Sequence, residues 1–332
     1  MASGKRYFIF LLFVFFIFLP ACQSEEETIN KAISDGITFL HENQMDSGEF
    51  ATCAFIGDAL DNCYYDGSPF ITSFILYSIK DISHPHIASI NQKGIQFLLS
   101  EQLPGGLWSY WTKSNKLEII PDIDDTSAIS HILAFHDIPF EDNKELIKNN
   151  LDEQGRYQTW ITKETSLHDT DCVINANVLL YLQEENLAAC AFINEEIQNQ
   201  FDCSYYYTNV QSFYYMVARA YANGVICLEP TKATILQNLK QMQSGDGSIG
   251  SELNTALAAN VFLDFNESGP DLDQAISFLL NSQRKDGSWP RDTIYKGPSG
   301  CEHCIYWGAD ELTTAFAIEA LHKYRSRYPR NV

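Results

Sequence analysis

The segment Pro121-Asp122-Ile123-Asp124-Asp125-Thr126-Ser127-Ala128 places three carboxylates within four residues. Crowded acids can do what an isolated one cannot. Their mutual repulsion and their loss of water keep a proton on the cluster near neutral pH, and hydrogen bonds can aim that proton at a substrate. The plainer use of these residues is structural, because Asp and Thr cap helices and negative charge is favoured at a helix N-terminus. One Asp suffices for a cap, and three exceed that need.

Two further clusters carry polar chemistry. His168-Asp169-Thr170-Asp171-Cys172 precedes an apolar segment bearing Asn175 and Asn177. Asp169 and Asp171 could hold the polar head of a substrate through water or a metal such as Mg2+, or simply cap the helix. Gly300-Cys301-Glu302-His303-Cys304 sets Cys301, His303 and Cys304 ahead of Asp310 and Glu311, a set that could hold Zn2+, although an exported CxxC is more often oxidised. Aromatic residues make up 13% of the chain and include Tyr205-Tyr206-Tyr207, Phe213-Tyr214-Tyr215 and Trp108-Ser109-Tyr110-Trp111. Such rings stabilise cations over their faces, stack on sugars or fill cores. No P-loop, dinucleotide fingerprint, serine-nucleophile elbow or HExxH pattern occurs, and the DDxxD and thioester motifs are also missing.

The elements that must position these groups announce themselves by a repeat. Gly36-Ile37-Thr38-Phe39-Leu40 leads to Gln44, Gly48 and Phe50; Gly94-Ile95-Gln96-Phe97-Leu98 leads to Gln102, Gly106 and Trp108; Ala275-Ile276-Ser277-Phe278-Leu279 leads to Gln283, Gly287 and Trp289. A fainter copy ends at Gln243, Gly247 and Ile249, and Gly155 with Tyr157 marks one that has lost its glutamine. Each copy reads as an amphipathic helix stopped by glycine, with an aromatic plugging the space beneath the turn. Between copies lie helices of small and apolar residues, predicted at Phe70 to Ile79, Thr126 to Leu133, Val173 to Leu182, Gln211 to Ala220, Asn254 to Leu263 and Leu312 to Leu321. With Glu141 to Asn149 and Ala188 to Asn199 as degenerate outer helices, the count is six hairpins, enough to close a ring in one domain over residues 28–328.

Acidic residues outnumber basic ones by 43 to 22, a balance that repels nucleic acid and anionic lipid headgroups. Lys5 and Arg6 precede an apolar run from Tyr7 to Leu19 that is short for a membrane span and reads as a signal peptide over residues 1–21. Leu19-Pro20-Ala21-Cys22 resembles the lipobox of bacterial lipoproteins. It implies lipidation of Cys22 and a membrane anchor, with residues 22–27 as an acidic tether and export to the outer membrane or cell surface. An exported chain with eight remaining cysteines can form disulfides, and the local guesses are Cys53 with Cys63, Cys190 with Cys203, and Cys301 with Cys304.

Gln283-Arg284-Lys285-Asp286-Gly287-Ser288-Trp289 resembles the Gln-Trp motif that ties outer helices together in squalene-hopene and oxidosqualene cyclases. Trp307-Gly308 with Leu312-Thr313-Thr314-Ala315 is similar to their C-terminal inner helix, and Asp122-Ile123-Asp124-Asp125-Thr126 resembles the Asp-x-Asp-Asp-Thr motif of class II terpene cyclases. The resemblance to the terpenoid cyclase and protein prenyltransferase superfamily implies an all-α fold, a single (α/α)6 toroid. It also implies Asp124 as the general acid that protonates an alkene or epoxide, with Asp122 and Asp125 in support. A hydrophobic small-molecule substrate follows, with Asp169, Asp171, Asn175, Tyr214, Trp307 and Asp310 as its candidate contacts. No cofactor is required on this reading, and Mg2+ or Zn2+ are the alternatives. Those cyclases use two toroid-like domains, whereas this chain has length for one. Prenyltransferases use an Asp, Cys and His zinc set whose spacing is not reproduced here.

Two other functions fit the same residues. A glycan-binding or glycan-cleaving surface lipoprotein would pair Asp124 with Asp171 or Asp310 and stack sugars on the aromatics. A non-catalytic lipid-binding toroid would keep the ring and use the acids only as caps.

Overall fold

The structure is a computed structural model describing residues 25–56, 60, 62–115, 120–164, 169–199, 203–297 and 305–327. Cys22 and the apolar run before it, and Cys301, His303 and Cys304, lie outside these residues. In chain order the helices are α1 (25–43), α2 (Pro69–Ile79), α3 (Ile87–Ser100), α4 (Ile123–Phe135), α5 (Lys144–Lys148), α6 (Cys172–Leu182), α7 (Leu187–Asn199), α8 (Val210–Ala222), α9 (Lys232–Met242), α10 (Glu252–Asp264), α11 (Pro270–Ser282) and α12 (Asp310–Arg327). The even-numbered helices are buried on nearly every side, as their apolar composition dictates, while the odd-numbered ones bury a single stripe. The even-numbered set packs in cyclic order: α2 on α4, α4 on α6, α6 on α8, α8 on α10, α10 on α12 and α12 back on α2.

The repeated Gln, Gly and aromatic build the seams. Gln44 Nε2 donates to the Gly48 carbonyl at 2.9 Å and to Ile90 of α3 at 3.1 Å. Gln243 reaches Asp271 of α11 in the same way, and Gln283 reaches Ala32 of α1, joining the last outer helix to the first. Gly48 and Gly287 have φ of +92° and +89°, and a Cβ on either would lie 2.1 or 2.4 Å from a carbonyl oxygen of the neighbouring outer helix. Gln102 departs from the pattern, and Asn143 holds the Gly106 carbonyl in its place at 2.6 Å. The residue after each turn is tied inward, because the buried amides of Phe50, Trp108, Tyr157, Ile249 and Trp289 donate to Thr72, Thr126, Asn175, Thr255 and Thr314 of the inner helices at 2.9–3.1 Å.

The all-α expectation is corrected by a small antiparallel sheet with strands β1 (Cys53–Ile56), β2 (Tyr64–Tyr65), β3 (Tyr295–Lys296) and β4 (Ile305–Gly308) in the order β2-β1-β4-β3. It forms from the connections that follow α1 and α11, and its strands of two to four residues are too short to show alternation in sequence. Cys53 pairs with Cys63 as expected. The Cys190–Cys203 guess is corrected: Cys190 bonds to Cys227 and Cys203 to Cys172, because hairpin packing brings cysteines 37 and 31 residues apart to Cα separations of 5.9 and 5.7 Å.

Candidate active site

A cavity of about 220 Å3 opens at the N-terminal ends of α2, α4 and α6, beneath the β3–β4 ribbon. Its walls are aromatic, with Phe70, Tyr110, Trp111, Trp160, Tyr206, Tyr295 and Trp307, and its polar groups include Asp122, Asp124 and Asp125. The indoles of Trp111 and Trp307 are fixed by a shared acceptor, Asp66 Oδ2, at 2.8 Å each.

The start of α4 separates the three acids by role. Asp122 is the cap, with extended backbone (φ −123°, ψ 166°) and its carboxylate accepting from the Asp125 amide at 2.8 Å. Burial raises both Asp122 and Asp125, Asp125 well above the ordinary range, and the contact between the two carboxyls raises Asp125 while lowering Asp122. Asp124 takes its partners from side chains of other elements. Its Oδ1 receives Asn177 Nδ2 at 2.6 Å and its Oδ2 receives the Tyr207 hydroxyl at 2.8 Å. Burial, then the charge of Asp122, push it up to about 7 against the pull of those two donors. Near neutral pH this carboxyl holds a proton at the edge of an apolar cavity, the condition for general acid catalysis.

With this geometry in view, solved structures give a clear likeness. A protein from Actinoplanes superimposes with a TM-score of 0.72 at 16% identity, covering 89% of this chain and 99% of that one. The type II terpene cyclase MstE from Scytonema gives 0.70 at 15% identity, covering 91% and 99%, and a variant of it bound to its substrate geranylgeranyl dihydroxybenzoate also gives 0.70. The chain has the fold of the type II terpene cyclases. An ent-copalyl diphosphate synthase from Streptomyces platensis is similar over 77% of this chain and 50% of its own length, with a TM-score of 0.52 at 15% identity. No protein-family model and no curated protein matches the sequence, so the likeness is one of structure.

The other candidates fall in different places. Trp307 lines the cavity. Asp169 accepts from the hydroxyl of Tyr206, which lines the cavity, and so meets the cavity through that tyrosine. Asp171 caps α6 through the Val173 and Ile174 amides and also takes Ser204 Oγ and the Tyr205 amide. Asn175 is engaged on both sides with the Tyr157 backbone. Tyr214 lies in a separate outer groove beside Asn238, and Asp310 is paired with Arg284 and Arg291. Among the described residues no group of three or more His, Cys, Asp and Glu side chains is placed to hold a metal ion. Trp160, Tyr295 and Asp66 stand in no motif of the sequence, and neither does Arg219, which donates to Asn177 Oδ1 at 2.6 Å. Arg219 had no local signal, because only the ring brings α8 beside α6.

Proposed function

We propose that the protein is a class II-like cyclase or isomerase that protonates an isoprenoid or other neutral lipid, with Asp124 as the general acid. The observation that carries this reading is the division of labour at α4: the cap is supplied by Asp122, and Asp124 is buried, raised to about 7 and held by side chains at the cavity. In the step, the Asp124 O–H bond breaks as a C–H bond forms on the alkene, and its π electrons leave a carbocation on the neighbouring carbon. The faces of the surrounding aromatic rings stabilise that cation, and loss of a proton from carbon ends the sequence with no net change in hydrogen. The helical pairs are read as a single (α/α)6 toroid over 28–328, with the β ribbon at its mouth.

The proposed cellular setting is an exported lipoprotein, anchored through Cys22 at the outer membrane or cell surface. Disulfides among the described residues suit an oxidising compartment. Glycan cleavage is disfavoured because its second carboxylate would be Asp171, spent on a cap, or Asp310, spent on two arginines. The test is incubation of the protein with polyprenyl, squalene and epoxide substrates in D2O. Products or recovered substrate should carry deuterium on carbon, and Asp124→Asn should abolish the label. An unlabelled panel, or equal labelling by Asp124→Asn, would overturn the proposal.

A further inference from the structure

Arg219 of α8 stands behind the acid and outside the cavity. It is 3% exposed and packs over the rings of Phe74, Tyr77 and Tyr215 at 4.8, 4.7 and 5.5 Å. With Asn177 and His131 it borders a separate void of about 10 Å3, to which the three cavity carboxylates do not contribute. A substrate in the aromatic cavity would not touch it.

Its link to the site is the Nη2 hydrogen bond to Asn177 Oδ1 at 2.6 Å. A guanidinium has no acceptor, so the Asn177 oxygen must face it and the amide NH2 must face away. That NH2 then donates to Asp124 Oδ1 at 2.6 Å and to the Tyr207 oxygen at 3.2 Å, while Tyr207 donates to Asp124 Oδ2 at 2.8 Å. Each Asp124 oxygen is thus met from the wall by a donor. A flipped Asn177 would present its carbonyl to Asp124 and could accept the acidic proton into the wall, but it would also set NH2 against the guanidinium, leaving buried donors unpaired.

We propose that Arg219 is a positioning residue for Asp124: by fixing the Asn177 amide it denies the acid an acceptor in the wall and leaves the cavity as the outlet for its proton. The inference rests on reading Asp124 as the proton donor. The titratable groups around Arg219 are Tyr77 on α2, His131 on α4, Tyr207, Tyr215 and Glu319 on α12; those around Asp124 are Asp122, Asp125, Asp171, Tyr207 and Tyr295.

The test is an infrared titration of the full chain, in which the spectrum of Asp124→Asn is subtracted to isolate the protonated Asp124 carbonyl band. The parent midpoint is expected near 7. Arg219→Met should raise it by about one pH unit or more and move the band, because the acid can now donate to a flipped amide. Asn177→Leu should also raise the midpoint, and the double variant should shift no further than Asn177→Leu alone. Should Arg219→Met fail to fold, Arg219→Gln is expected to shift the midpoint and Arg219→Lys to leave it in place. An unchanged midpoint in Arg219→Met or Arg219→Gln, or additive effects with Asn177→Leu, would overturn the proposal. The readout needs no substrate, so an unlabelled isoprenoid panel would sink the cyclase reading while leaving this result intact.

Discussion

Replacing Asp124 by Asn should make the protein more stable, and increasingly so as the pH rises. The folded protein holds the Asp124 proton to about 7, against 3.8 for the free group, so in the window between them it binds a proton that the unfolded chain has released. An acid whose folded pKa is raised contributes stability that is fully present below the unfolded value and is lost as pH climbs through the folded one. Between pH 5 and pH 7 the loss runs at about 1.4 kcal/mol per pH unit, or about 2–3 kcal/mol over that interval. Asn has nearly the same shape and no charge to desolvate; its carbonyl can accept from Asn177 and its NH2 can donate to the Tyr207 oxygen. Asp122 and Asp125 are present in both proteins, and the charge that the parent gains at Asp124 is repelled by Asp122 and bears on Asp125, which widens the gap further at high pH. Urea denaturation followed by circular dichroism at pH 5 and pH 8 measures the gap. Equal stabilities at pH 8, or a gap that widens toward acid, would refute Asp124 as a buried acid held protonated by its surroundings.

Gly287→Ala should open the seam between α11 and α1, since the residue has φ +89° and its new Cβ would lie 2.4 Å from the Asp35 carbonyl. The cost should exceed about 2 kcal/mol by thermal denaturation, with Gly245→Ala, where nothing lies within 4 Å, as a neutral control. Tyr207→Phe removes the donor to Asp124 Oδ2 and should raise the Asp124 midpoint above its parent value in the infrared titration. Initial rates of deuterium incorporation should fall above about pH 7, tenfold per unit well past the midpoint, as the protonated fraction of Asp124 disappears; a rate that rises through that range would exclude it as the acid.

The inner helices were legible because an apolar run buried on every side needs no partner to be recognised: Phe70 to Ile79 was expected and Pro69–Ile79 is found, and Asn254 to Leu263 lies inside Glu252–Asp264. The Gln, Gly and aromatic spacing was legible for a related reason, since Gln44, Gly48 and Phe50 act within one local turn. What that turn touches was hidden, because Ile90 and Thr72 belong to other helices. Residue type and spacing do not tell the roles of Asp122 and Asp124 apart, and in the sequence only the resemblance to the class II cyclases singles out Asp124. The two acids are the same residue type two positions apart, and only the extended backbone of Asp122, followed by a helical turn, sends one carboxylate to the cap and the other toward Asn177 and Tyr207. Arg219 and the Cys172–Cys203 pairing depend on the order in which helices meet around the ring, which short-range spacing does not contain.

The Cys172–Cys203 disulfide connects the proposed chemistry to the proposed export. Cys172 opens α6 directly after the Asp171 cap, and Cys203 leads the segment whose Ser204 and Tyr205 bind the Asp171 carboxylate. The next two residues reach the site, Tyr206 to Asp169 and Tyr207 to Asp124. Without the bond this tyrosine segment would be held only by its hydrogen bonds and by the packing of Tyr206 on Trp160 and Tyr207 on Tyr295, and a reducing cytosol would not keep the bond formed. Replacing Cys172 and Cys203 together by Ala should therefore lower deuterium incorporation at least tenfold, the scale of losing a positioned group. It should also speed amide exchange at residues 203–207, with the helical core intact by circular dichroism. Replacing Cys190 and Cys227, which join α7 to the 3-10 segment Ile226–Thr231 on the outer layer, should cost stability and spare the activity. Parent-level turnover in the first pair, with the Tyr207 amide still protected, would show that the disulfide has no part in holding the acid's partner and would remove this link between the site and the compartment.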